Sequence, residues 1–73
     1  MVNIESQFNI KNKIKVFRAE KKLTQQALAD AVGVTRATIN AMEKGAYNPS
    51  LELAFRLARF FKADIQTIFF VEG

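Results

Sequence analysis

Cysteine and histidine are absent from this 73-residue chain, which carries one proline and three glycines. Without thiolate or imidazole there is no disulfide, no zinc site of the usual kind, and no Cys–His or Ser–His pair to activate a nucleophile. So few turn-forming residues favour helices over a many-stranded sheet. No apolar run approaches the ~18 residues of a membrane span. The opening Met1-Val2-Asn3-Ile4-Glu5 lacks the basic flank and long apolar stretch of a signal peptide. A chain this short hides only ~60% of the surface its unfolded form exposes, leaving little room for both a core and a deep catalytic cleft. The expectation is a single cytoplasmic domain that is not an enzyme and uses no metal or cofactor.

What is present is ordinary globular composition, 49% hydrophobic and 25% charged. Lys and Arg outnumber Asp and Glu by 11 to 7, a net charge of +4. The excess is local. Residues 11–22 hold Lys11, Lys13, Lys15, Arg18, Lys21 and Lys22 against Glu20 alone, so this stretch is +5. Such a run suits a polyanionic partner or a merely solvated helix face, and composition does not choose between them.

Periodicity divides the chain further. Residues 1–10 alternate loosely through Val2, Ile4, Phe8 and Ile10, a short strand or a lead-in. Ile14 and Phe17 are an i, i+3 pair that predicts a first helix within residues 12–22. Thr24 is a good N-cap for a second, ended by Gly33 where a positive φ is wanted. Thr35 caps a third over residues 36–44, with Ile39 and Met42 as its apolar side and Gly45 beyond it. After Asn48-Pro49-Ser50 a fourth helix shows a broad apolar face of Leu51, Ala54, Phe55, Leu57, Ala58 and Phe61. Asp64 caps a fifth with Ile65, Ile68 and Phe69, and the tail 70–73 is β-prone. Leu28, Val32, Ile39, Met42, Leu57, Phe61 and Ile68 are the expected core.

Two capped helices joined by the Gly33-Val34 turn are the most specific feature. Pressing a second helix into a major groove ~12 Å wide requires the first helix tight behind it. Ala29 supplies a small crossing residue, and Leu28, Val32, Val34, Ile39 and Met42 supply the wedge. Arg36, Ala37, Thr38, Asn40 and Ala41 then remain as a slender outward face.

These residues make the sequence resemble the phage-repressor and Cro-like, or XRE, helix-turn-helix family. The resemblance is carried by Ile14-Lys-Val-Phe-Arg18, by Leu23-Thr-Gln-Gln-Ala-Leu-Ala-Asp-Ala-Val-Gly-Val34, and by Thr35-Arg-Ala-Thr-Ile-Asn-Ala-Met-Glu-Lys-Gly45 with Tyr47-Asn-Pro-Ser-Leu51. It implies an all-α, five-helix lambda-repressor-like domain over residues 12–69, with the motif at 24–45. Residues 1–11 are then an extension or strand and 70–73 a tail or strand, and the termini can form a small two-stranded antiparallel sheet, Phe8-Asn9-Ile10 against Phe69-Phe70-Val71.

The same resemblance implies roles. Thr35, Arg36, Ala37, Thr38 and Asn40 are expected to meet bases. Arg36 can pair bidentately with guanine, Ala37 and Thr38 offer methyls to thymine, and Asn40 reads adenine or holds phosphate. Gln25, Lys44, Tyr47, Asn48, Lys13 and Lys15 are expected against phosphates, the positive end of the second helix assisting. Arg18 and Glu43 are expected to form a buried structural ion pair instead. The implied function is that of a transcriptional regulator, more specifically a repressor, binding a two-fold symmetric duplex site as a homodimer. Its dimer surface would use the leftover apolar residues Leu53, Phe60, Phe70 and Val71. The alternative is a protein-interaction module such as an antitoxin, although the chain offers no long tail to wrap a partner. No membrane or small-molecule ligand is expected.

Overall fold

A computed structural model describes residues 9–72. Five helices, α1 (Ile14–Glu20), α2 (Gln25–Val32), α3 (Arg36–Glu43), α4 (Leu51–Phe61) and α5 (Ile65–Ile68), lie between two short strands, β1 (Ile10–Asn12) and β2 (Phe69–Val71). Capping chemistry places most of the boundaries. The hydroxyls of Thr24, Thr35 and Ser50 accept from the backbone N–H of Ala27, Thr38 and Leu53, each satisfying a donor that the first helical turn leaves unpaired. Asp64 precedes α5 but makes no such side-chain bond. Gly33 ends α2 at φ +79°, as the left-handed cap requires. Lys62, not a glycine, adopts φ +55° at the end of α4.

The core gathers Ile14, Leu28, Ile39, Met42, Leu57 and Ile68, all fully buried, with Val32, Leu53 and Phe61 beside them. Phe17 closes it at one side, its ring centroid 5.3 Å from that of Phe61. The short α2–α3 connection holds these two helices in the most extensive helix–helix contact of the fold, while α4 packs on α2 and α5. Arg56 ties α4 to α2 by donating to the Val32 carbonyl at 3.2 Å while bonding Glu52 at 2.6 Å.

The termini do form a two-stranded antiparallel sheet, two residues farther along the first strand than expected. Ile10 faces Val71, Lys11 faces Phe70 and Asn12 faces Phe69. Phe8 lies outside the described residues. Three apolar positions in α4 also depart from the expectation. Leu53, anticipated at a dimer surface, is buried in the core, whereas Leu51 and Phe55, anticipated inside, are 72% and 54% exposed. Leu53, Leu57 and Phe61 follow one another at i, i+4 and i+8 down the inner stripe, with Ala54 and Ala58 along its edge. Leu51 and Phe55 are themselves i, i+4 but fall past those alanines on the outer flank.

Candidate nucleic-acid interface

Helix α3 has two unlike sides. Ile39 and Met42 are fully buried and fix its rotation. Arg36 and Ala37 are exposed on the other side, with Thr38, Asn40 and Ala41 half-buried. Arg36 has no hydrogen bond or ion pair to a described residue, so its guanidinium is available to a ligand. Thr35 is committed to its cap, and its hydroxyl also lies 3.0 Å from that of Thr38. These two threonines therefore hold one another and present methyl groups more readily than hydroxyls.

Behind that surface runs a polar chain from α1 to α3. Arg18 grips Glu43 with two bonds, Nε to Oε2 at 2.7 Å and Nη2 to Oε1 at 3.1 Å. Its remaining nitrogen donates to the Leu23 carbonyl at 2.9 Å. The side chains retain only 16% and 6% exposure, and a pair this dry is costly to break from either side. Glu43 also accepts from Gln25 Nε2 at 3.0 Å, and the same nitrogen donates to Asn40 Oδ1 at 3.3 Å. Burial pushes the Glu43 carboxyl toward a higher pKa. Hydrogen bonds from Arg18 and Gln25, with the charges of Arg18 and Lys15, outweigh burial and hold it below the ordinary carboxylate value.

This arrangement changes the expected part of Gln25. Both hydrogens of its amide nitrogen are engaged inside the protein, so the side chain has no donor left for a phosphate. The backbone N–H groups of the first turn of α2 remain, where a helix N-terminus favours an anion. Lys44 caps α3, and Tyr47 and Asn48 follow it on an exposed loop. Lys15 reaches Glu43 electrostatically and so lies toward the end of α3. Lys13 projects from the strand side, its ammonium 5.8 Å from the centre of the Phe70 ring. Lys11 faces Glu72 at 3.8 Å, both exposed, an ion pair worth little.

Asn12 is a residue that sequence reading placed at the helix start without a role. Its Nδ2 donates to the Met42 carbonyl at 2.9 Å, and its Oδ1 accepts from Ile14 N at 3.1 Å. One side chain thereby satisfies an orphan amide at the start of α1 and adds a second donor to the Met42 carbonyl, which also accepts from Gly45 N at 3.0 Å. An asparagine before an apolar helix is itself a capping signal. Its second bond, thirty positions away, is not legible locally.

A capped pair of helices in tight contact, the second with a buried apolar side and an exposed Arg36 side, is a helix-turn-helix. A family model described as helix-turn-helix matches residues 14–68. The chain belongs to the XRE-type helix-turn-helix family. It is 54% identical over 63 residues to an HTH-type transcriptional regulator of Methanocaldococcus jannaschii, covering 86% of this chain and 96% of that one. It is 39% identical over 54 residues to the cryptic phage CTXphi transcriptional repressor RstR of Vibrio cholerae, covering 74% of this chain and 49% of that protein. The crystal structure of the restriction-modification controller protein C.AhdI from Aeromonas hydrophila is similar with a TM-score of 0.68 at 28% identity. That alignment covers 74% of this chain and 78% of that one. This helix-turn-helix protein is thus a DNA-binding transcriptional regulator, not an enzyme, and among its described residues no helix is long and apolar enough to cross a membrane.

Proposed function

We propose that this regulator reads a two-fold symmetric duplex site as a homodimer, with α3 in the major groove, and represses by occupying promoter DNA. The observation that carries the reading is the outward side of α3. Arg36 stands there, without a partner among the described residues, beside Ala37, on a helix whose inner side is locked by Ile39 and Met42. A guanidinium so placed can pair bidentately with guanine O6 and N7, a contact worth ~1–3 kcal/mol of discrimination. Positive charge for the backbone comes from Lys13, Lys15 and Lys44, with Tyr47 and Asn48 on the exposed loop after α3.

A second copy supplies the second half-site. We place it on the flank of α4 where Leu51 and Phe55 stand exposed. Leu51 borders a groove of about 310 Å³ shared with Ile10, Asn48, Pro49, Ala54, Ile65 and Phe69. Val71, the cross-strand partner of Ile10, is 54% exposed and extends this side. Phe70 alternates to the opposite side of the sheet, under Lys13, and Phe60 lies half-buried on the other flank of α4 beside Arg56 and Gly33. Two observations favour a second copy as the occupant. Asn48 joins this groove to the loop expected on DNA, so a two-fold axis here brings two such loops together between half-sites. The neighbouring groove at Phe55 is lined by Arg59 and Lys62 as well as Asp64, opposite charges that a two-fold can pair.

The test is selection from a randomised duplex pool at ~150 mM salt, where binding driven by phosphates alone is weak. Enrichment of a symmetric site, lost in a folded Arg36→Ala protein, supports the reading. Failure of the folded protein to enrich any sequence rejects it and directs attention to a protein partner.

A further inference from the structure

The polar chain behind α3 fixes more than stability. Glu43 is an ionised carboxylate and accepts only. Gln25 must therefore turn its amide nitrogen, not its oxygen, toward Glu43 Oε1, since the flipped amide would set one acceptor against another. The second hydrogen of that nitrogen then points at Asn40 Oδ1. Asn40 is oriented in its turn. Its oxygen faces inward to α2, and its nitrogen has no hydrogen-bond partner among the described residues. No side-chain nitrogen or oxygen of these residues is both buried and unpaired, so the Asn40 nitrogen, opposite the inward-held oxygen of this half-buried residue, keeps contact with solvent.

We infer that Gln25 sets base specificity at one position by presenting Asn40 to DNA as a hydrogen-bond donor only. This rests on the reading that α3 contacts base edges. An asparagine that reads adenine needs both atoms of its amide on the base, the oxygen accepting from N6 and the nitrogen donating to N7. Here the oxygen is held away. Two outward N–H groups instead match guanine, whose O6 and N7 both accept, and meet a clashing donor on adenine N6. Gln25 acts as a positioning residue, and the information originates in the Arg18–Glu43 pair that orients it.

Four proteins in the duplex selection decide the matter: wild type, Asn40→Ala, Gln25→Ala and Gln25→Met, the last keeping the stem of the side chain without its amide. Thermal unfolding followed by circular dichroism establishes that each is folded. Asn40→Ala identifies the base pair concerned by flattening the preference there. At that pair wild type is expected to favour guanine over adenine roughly tenfold or more. Both Gln25 variants are expected to raise adenine to parity or above, leaving other positions as they were. A merely structural role for Gln25 would weaken all positions alike. The inference is overturned by an adenine preference in wild type, by an unchanged profile in the Gln25 variants, or by Asn40→Ala altering no position. If wild type enriches no sequence, base reading by α3 fails and this inference fails with it.

Discussion

Replacing Arg18 by methionine tests the deepest polar contact of the domain. Methionine keeps much of the stem volume but removes the guanidinium, so Glu43 loses both bonds from Arg18 and keeps only that from Gln25. Its side chain is 6% exposed, and water cannot compensate it. Removing one member of a buried pair costs about 3–5 kcal/mol because the other charge stays desolvated. A domain of this length has a total stability of roughly 4–11 kcal/mol at ~0.05–0.15 kcal/mol per residue. The variant therefore loses from about a quarter to all of it. Glu43→Gln leaves the Arg18 guanidinium uncompensated in its turn and should fall near the lower end of that range, about 3 kcal/mol, since an acceptor oxygen remains and Arg18 keeps the Leu23 carbonyl.

The same pair sets an acid limit. The folded carboxyl of Glu43 is held below its unfolded value of ~4.3, so the stabilisation is fully present above that pH. It is lost as pH falls further, through the folded pKa, and this part of the acid limb should flatten in Glu43→Gln. Urea titration monitored by circular dichroism across this pH range measures both effects. The reasoning is refuted if Arg18→Met costs less than ~1 kcal/mol. It is equally refuted if that variant loses DNA affinity at unchanged stability, which would make Arg18 a DNA contact.

Asn12→Ala should destabilise by about 1–2 kcal/mol, because the Ile14 amide loses its partner while the Met42 carbonyl keeps its bond from Gly45 N; urea unfolding against Asn12→Asp separates the two bonds, as aspartate keeps only the one to Ile14. Gly33→Ala combines a φ of +79° with a new methyl 3.3 Å from Arg56 Nη1, and a loss of about 1–2 kcal/mol is expected in the same assay. Phe55→Asp should leave a folded protein of unchanged stability that sediments as a monomer. A dimer of wild-type affinity in that variant would move the second copy elsewhere.

Most of the architecture was legible along the chain because it is set by local chemistry. Thr24, Thr35 and Ser50 announce helix starts through bonds three residues away, and Gly33 announces a stop through its own φ. The i, i+3 and i, i+4 spacing of Leu28, Val32, Ile39 and Met42 marked the buried sides of α2 and α3, and with them the outward side that holds Arg36. Helix α4 was harder. It carries apolar residues around more than half its circumference, so periodicity alone does not say which flank is covered. The packing of α2 and α5 decided that Leu53 is inside and that Leu51 and Phe55 are not.

By itself, then, the sequence determined the number and limits of the helices, the sharp turn between α2 and α3, and the absence of thiolate and imidazole chemistry. Each follows from residue type or from spacings within one or two helical turns. Only the tertiary structure decided the strand register, the clamp of Asn12 on Met42, and the orientation of Gln25 and Asn40. Hydrogen bonds between residues 15 to 30 positions apart exist only once packing has brought their elements together. The chemistry of a side chain states what it can donate or accept, and the fold alone assigns the partner and so the face left for DNA.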